Sequence, residues 1–502
     1  MFDTKRASAD WNRLLVATSM VLAVFIGGVS ASLPPVQTLV VLSAVAFFTL
    51  AATTPMAAVV ALLVLAPLRT LIATEAALPL PLDIGQIAFA LVLVAWVVRK
   101  IAHKKPVLQP QWTPLYVPLL LFLTVIGLNA FFAASLTAWI TEALKWVVIL
   151  LAVMLVLDMC RFNRAWEWIV FSLVIAGLAN ALIGIYIFFG GSGALHLIVN
   201  ERFFRAFGTF GQPNPFGGFL GLLAPLAAMA AYGYALRVWR YWQQTHSLDR
   251  VASLMAIFYA ASGAIIILGV LLSWSRGAWL GLATALMVTF VAAPRRLWIG
   301  LAWMLLAGML IGVLWSTGRV PASIANRVES ATRELFVIRD VRGVDITVEN
   351  YAIIERLAHW QAAIDMARSH PITGVGLGNY ETAYDTYRLL NWEMSLGHAH
   401  NYYLNVLAEA GIMGVVAYLF VFVNLIWFTW YTTRVHPDEL SRTVSTGLLG
   451  TWVYLLVHSL TDNLYVNNVF VHLGFMMGIL AVLYADVITH HKKTMDVYGN
   501  GR

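Results

Sequence analysis

Apolar runs of roughly 17–25 residues recur along almost the whole chain, and that recurrence leaves few folds open. Each run matches the hydrocarbon core of a bilayer, about 30 Å thick, where backbone N–H and C=O groups find no water and must pair within the segment. Helices do this unaided. Hydrophobic residues make up 60% of the 502 and charged residues only 11%, more apolar surface than a soluble core hides, so the fold class is an all-α polytopic membrane protein. The net charge of +7 is then read as topology and contact with anionic lipid, with no nucleic-acid partner. A single cysteine, Cys160, excludes an internal disulfide and a multi-cysteine metal site.

Spans are expected near 14–32, 36–52, 56–73, 82–98, 115–134, 137–157, 166–189, 215–236, 252–273, 277–293, 297–315, 402–431, 443–461 and 468–487. This gives about 12–14 crossings; the tight turns at Thr53–Thr54–Pro55 and Ala134–Ser135 also admit re-entrant geometry. With Lys5 and Arg6 inside, Arg99 to Lys105, Arg161/Arg164, Arg237/Arg240, Arg295/Arg296, Arg434 and Lys492/Lys493 all fall on the cytoplasmic side, as the positive-inside rule requires. Lys145 lies within a span, three residues after Glu142, and an i,i+3 ion pair accounts for it. The chain divides into transmembrane helices with short external loops (1–315), a large external segment (316–401), and C-terminal transmembrane helices with a cytoplasmic tail (402–502).

The expected exterior contains arginine and no lysine. A guanidinium is planar, always charged and able to grip two oxygens at once, which suits phosphate better than an ammonium does. Arg205 opens a Gly- and Pro-rich loop to Pro215, in which Asn214 is the expected helix N-cap. Arg276 sits in Ser273–Trp274–Ser275–Arg276–Gly277 between two apolar runs, where a charge needs a partner or a wet cavity. Within 316–401, Ile353, Leu357, Trp360 and Ile364 repeat at helical spacing, with Glu355, Arg356, His359 and Asp365 on other faces. Gly374–Val375–Gly376–Leu377–Gly378–Asn379 lacks the preceding strand and Lys-Ser/Thr ending of a phosphate loop, and is read as a turn between external helices.

His400 and Asn401 stand where this segment re-enters the membrane, and Gly411 and Gly414 follow. Imidazole exchanges a proton near neutral pH, so His400 is the candidate base. Asn401 is assigned to orienting His400 or substrate, and Glu409 and Asp462 to pairing with arginine or setting the imidazole proton. His398–Ala399–His400 near Asp385, Glu393 or Asp462 lacks an established ligand spacing, and no metal is assigned.

His400, Asn401, Gly411 and Gly414 match H-[NSQ]-x9-G-x-x-G position by position, and the chain in this respect resembles the O-antigen ligase and O-antigen polymerase superfamily. The Arg205–Pro215 loop, Ser275–Arg276 and Arg356 ahead of the Pro371–Gly378 turn extend the resemblance over about 200–480. The resemblance implies a C-type glycosyltransferase-like fold, with about two spans more here than the usual twelve. It implies a multi-pass protein of the bacterial inner membrane whose site faces the periplasm. The implied donor is an undecaprenyl pyrophosphate-linked glycan, the acceptor a hydroxyl of a glycan or lipid, with no nucleotide sugar and, for the ligases, no metal; no cofactor is expected. His400, Arg276 and Arg356 would be catalytic, with Arg205, Asn214, Asn401, Glu409 and Asp462 around the substrates. A secondary transporter or lipid flippase would share the spans and the Glu142–Lys145 charges, but the suspicious residues gather on one side, which favours chemistry.

Overall fold

A computed structural model describes residues 28, 34–73, 83–106, 111–190, 197–199, 202–334, 340–347 and 350–499. Apart from Gly28, the expected first span lies outside these residues. Every later one is a helix: α1 (Pro35–Thr53), α2 (Pro55–Leu65), α3 (Ile84–Ala102), α4 (Tyr116–Asn129), α5 (Leu136–Cys160), α6 (Trp166–Gly190), α7 (Pro213–Thr245), α8 (Arg250–Leu272), α9 (Arg276–Ala292), α10 (Leu297–Ser316), α14 (Tyr402–Val435), α15 (Glu439–His458) and α16 (Val469–Gly499). Among the described residues, eight helices are long and apolar enough to cross a membrane, and four shorter apolar helices accompany them. The protein is an all-α, multi-pass membrane protein. Its only described strands are the two-residue antiparallel pair β1 (Ile198–Val199) and β2 (Phe203–Phe204).

The segment between α10 and α14 carries α11 (Ala322–Glu334), α12 (Tyr351–Ser369) and α13 (Tyr380–Tyr387). The helical spacing read from Ile353 to Ile364 is therefore correct, but α12 buries two faces. One packs Ile354, Leu357, Ala358 and Trp360 with Val341 and Trp392; the other packs Ala362, Ala363 and Met366 with Val375, Tyr380 and Tyr384. His359, off the Ile353-to-Ile364 stripe as expected, lies between the two faces and is 1% exposed.

The chain forms two compact units. The smaller holds α1, most of α2 and α3; at the basic end of α3, Arg99 Nη1 donates to the Ala52 carbonyl at 3.5 Å and Lys100 Nζ lies 4.7 Å from the Trp96 ring centre. The larger unit is organised around α7, which packs against α6, α8, α9 and α15, while α16 packs along α5. Lipid offers helices no hydrophobic reason to associate, so close backbone approach has to do it. Small residues on α7 permit this: a Cβ on Gly221 would lie 2.0 Å from the Tyr454 ring. Beside Pro225, which has no N–H to give, the Thr451 hydroxyl donates to the Leu222 carbonyl at 2.8 Å. Lys145 and Glu142 form the expected ion pair on α5.

Candidate active site

Helix α14 begins at the re-entry point because Asn401 caps it, its Oδ1 accepting from the N–H groups of Tyr403 (3.0 Å) and Leu404 (3.1 Å). That oxygen is committed to the cap, so Asn401 shapes the turn that presents His400. His400 itself adopts φ +51°, a left-handed conformation that His tolerates better than most residues. The turn is tied down: the Ala399 N–H donates to Asn405 Oδ1 at 3.1 Å, and the Tyr402 N–H to the Ser459 carbonyl at 2.8 Å. The second tie brings the end of α15 alongside, and with it Asp462.

Asp462 Oδ1 stands 3.6 Å from His398 Nε2 and 3.9 Å from His400 Nδ1, beyond hydrogen-bond length but close enough for its charge to hold a proton on the facing nitrogens. His398 settles its own tautomer. Its Nδ1 accepts the His400 N–H at 3.0 Å, so in the neutral ring Nε2 carries the proton and has no lone pair for a cation. His398, His400 and Asp462 are the one group of described residues with ligand atoms within 4.8 Å, and as the loop stands it does not fit a metal. With Asp462 facing Nδ1 of His400, the remaining nitrogen, Nε2, is the one left to accept a proton.

Burial, then the neighbouring His398, lowers the His400 pKa to about 3, against the opposing pull of Asp462; Arg356 and His359 push it further down. Asp462 is itself held below the usual carboxylate range: burial alone would raise it, but His398 and His400 more than offset that. Imidazole His400 is thus neutral at pH 7, the form that takes a proton.

His359, which sequence reasoning passed over, stacks on Tyr384 at 5.0 Å and meets the His400 ring edge-on at 5.7 Å. Tyr380 donates its single hydroxyl proton to the His359 carbonyl at 3.1 Å, so His359 Nδ1 is the donor to that hydroxyl, also 3.1 Å away. Its Nε2 is then a buried acceptor without a hydrogen-bond partner among the described residues. Burial and His398 lower its pKa to about 4. The available signal was its position one helical turn after Arg356.

Arg205 reaches across the α8–α9 turn. Its Nε donates to the Ser273 carbonyl at 2.9 Å and its Nη2 to Asn214 Oδ1 at 3.2 Å, while the Ala206 N–H donates to the Leu272 carbonyl at 3.0 Å. Burial and then two neighbouring cations, Arg327 and Arg276, bring Arg205 down to about 10, still charged at neutral pH. Arg327, on α11, was not singled out from the sequence; its Nη2 donates to the Trp274 carbonyl at 2.6 Å. Arg276 occupies the first position of α9 after the Ser275 cap, and a Cβ on Gly277 would fall 1.9 Å from Thr461 Oγ1, so the arginine cluster and the Asp462 turn adjoin.

Two assignments change. Asn214 is not the N-cap of α7, which starts at Pro213 with Gln212 as cap; it holds Arg205 instead. Glu409 pairs with no arginine among the described residues. It is buried in α14, and its Oε1 accepts the Tyr380 N–H at 3.1 Å, while its carbonyl accepts the Gly376 N–H at 2.9 Å. Glu409 therefore anchors the glycine-rich turn, and Asn129 clamps the same turn, donating to the Thr373 carbonyl and accepting the Leu377 N–H, both at 2.6 Å. Tyr380, Tyr384, Tyr402, Trp360 and Trp392 are buried in protein packing and offer no open face to a sugar.

Gly411 closes this clamp. It interrupts α14 at φ +63°, ψ −165°, a region only glycine occupies readily, and lets the Ile412 N–H reach the Pro371 carbonyl at 2.9 Å. A Cβ there would lie 2.2 Å from the Ile372 carbonyl oxygen. Gly411→Ala should therefore destabilise the protein by about 2–4 kcal/mol, combining backbone strain with overpacking. Gly127, with nothing within 4 Å of a built Cβ, is the control: thermal unfolding in detergent should drop for Gly411→Ala and barely move for Gly127→Ala. Equal shifts would remove the structural account of the signature glycine.

Residues 261–419 match the family model described as O-antigen ligase. The matched stretch includes Arg276, Arg327, Arg356, His359, His398, His400 and Gly411. The chain is also similar to the teichuronic acid biosynthesis protein TuaE of Bacillus subtilis (strain 168), at 28% identity over 110 residues, 22% of this chain and 22% of that protein. It thus aligns with about a fifth of the length of this curated relative.

Proposed function

We propose that this chain, whose residues 261–419 match the family model described as O-antigen ligase, is a membrane glycosyltransferase that moves a glycan from undecaprenyl pyrophosphate to an acceptor hydroxyl on the periplasmic face of the bacterial inner membrane. One observation carries the reading: a neutral imidazole backed by a carboxylate, at His400 and Asp462, adjoins a cluster of guanidiniums at the same end of the helix bundle. In the proposed step the acceptor oxygen attacks the anomeric carbon and gives its proton to His400 Nε2. The bond from the anomeric carbon to the phosphate oxygen breaks, with its electron pair left on the pyrophosphate. Displacement from the opposite face inverts the sugar carbon.

Arg205, Arg276, Arg327 and Arg356 would meet the charge that develops on the leaving pyrophosphate, which fixed cations stabilise without reorganising. Asp462 would stabilise the imidazolium formed at His400. A protein glycan, a lipid core or a growing polysaccharide all present the hydroxyl this chemistry needs. Reconstitution with lipid-linked oligosaccharide and each acceptor class tests the proposal, read as a mass shift of the product. No transfer to any acceptor by folded protein would refute it.

The electrostatics fix the pH dependence. Because the folded pKa of His400 lies below the ordinary imidazole value, its basic form is present throughout the neutral range and is lost only as pH falls toward about 3. The value of kcat/KM, which reports free enzyme, should show no acid limb between pH 5 and 8. A bound pyrophosphate favours imidazolium, so the acid limb of kcat should lie at higher pH than that of kcat/KM. An acid limb of kcat/KM centred near 6.5 would contradict this.

A further inference from the structure

The end of the bundle remote from His400 gathers three guanidiniums on one carboxylate, with a fourth, Arg434, close by. Glu439, in the first turn of α15, accepts Arg240 Nη2 (2.7 Å) and Arg295 Nη2 (2.9 Å) on Oε1 and Arg442 Nη2 (3.0 Å) on Oε2. Arg442 Nη1 also donates to the Ala293 carbonyl at 2.7 Å, and Arg434 donates to the carbonyls of Ala292 and Pro294. The neighbouring acid, Asp438, is engaged by Arg164 and Ser441, so the cluster keeps an excess of positive charge. Arg442 is buried, whereas the side chains of Arg240 and Arg295 are 57% and 56% exposed, each touching Glu439 through part of its fork while other N–H donors remain accessible.

An apolar groove of about 230 Å³ meets this cluster at Ala293. Ala228, Met229 and Tyr232 of α7, Leu286 and Phe290 of α9, and Trp303 of α10 line it, and Ala293, whose carbonyl binds Arg442, lies at its basic end. Tyr232 precedes Arg240 by two helical turns, about 12 Å, so the groove runs from the arginines toward the bilayer interior. A molecule filling both parts has an anionic head at the helix ends and a hydrocarbon chain directed inward.

We propose that Arg240 and Arg295 bind the phosphate of an anionic phospholipid whose acyl chain lies in the groove between α7, α9 and α10. Basic pockets between helices on the cytoplasmic side recognise lipid headgroups in this manner, and the positive-inside pattern assigns this end to the cytoplasm. The site is separate from the His400 end, so its failure leaves the transfer reading untouched.

The full chain, purified in detergent, delipidated and mixed with equal amounts of phosphatidylglycerol and phosphatidylcholine of identical chains, is examined by native mass spectrometry. Phosphatidylglycerol adducts should exceed phosphatidylcholine adducts about tenfold, and Arg240→Ala/Arg295→Ala should bring the ratio near unity. Leu286→Trp, which fills the groove and spares the arginines, should reduce phosphatidylglycerol retention. Inorganic phosphate should not displace the lipid. Should the double variant fail to fold, wild-type thermal unfolding decides: it should rise with phosphatidylglycerol and not with phosphatidylcholine. Equal adduct levels in the wild type, an unchanged ratio in the double variant, displacement by phosphate alone, or equal stabilisation by both lipids would overturn the proposal.

Discussion

Replacing His400 with Asn should cut glycan transfer by about 10²–10⁴-fold while leaving the protein folded, because this is the range over which a positioned general base contributes. Asn is the informative substitution because the position has φ +51°. Asn visits that left-handed region readily, whereas Ala does so only at a cost of about 1–2 kcal/mol, so His400→Ala would mix lost chemistry with lost stability. The backbone N–H that binds His398 Nδ1 survives the change, so the turn holding Asp462 near the site should persist. Single-turnover transfer from lipid-linked donor, with thermal unfolding measured alongside, separates the two effects. Transfer within about threefold of the wild type would remove His400 as the base, since a lost proton acceptor costs far more than that.

His400 was legible in the sequence because its motif sits at the junction of an apolar run and a polar segment, a boundary that composition marks sharply. The helices were legible for the same reason: in a bilayer, helix length is set by hydrocarbon thickness, so apolar run length locates them. What remained hidden depends on folded proximity. Asp462 was named from the sequence, but which of its two assigned roles it takes was not legible: it lies sixty-odd residues from His400, and the Tyr402-to-Ser459 hydrogen bond brings its turn beside the imidazole. His359 was hidden by α12 burying two faces, where amphipathic reasoning assumes one. Arg327 was hidden because its helix is polar and its role comes from reaching the Trp274 carbonyl in another loop. Glu409 was misjudged because a carboxylate near a motif invites a chemical role, while here backbone N–H groups of an irregular turn claim it.

Changing Arg276 to Lys should lower turnover by about 10²–10³-fold, the loss seen when one preorganised donor to a developing oxyanion is removed. The substitution keeps the charge, so any loss reports geometry. A guanidinium at the first position of α9 presents a planar fork beside the helix N-terminus, where the helix dipole also favours anionic oxygens. An ammonium offers a point charge and binds at most one oxygen from each N–H, so it should retain much of the attraction for the ground-state pyrophosphate while losing the paired contacts that strengthen as charge concentrates on the leaving group. Turnover should therefore fall more than donor affinity. Arg327 and Arg276 lie close enough to Arg205 to depress its basicity, and cations held together in this way make sense where an anion is to be received. The comparison needs kcat and donor KM for Arg276→Lys and Arg276→Ala. If Lys restores most of the turnover lost in Ala, bidentate recognition is not what Arg276 supplies. If both variants turn over normally, Arg276 is a cap-region residue of α9 and the charge on the leaving group is met elsewhere.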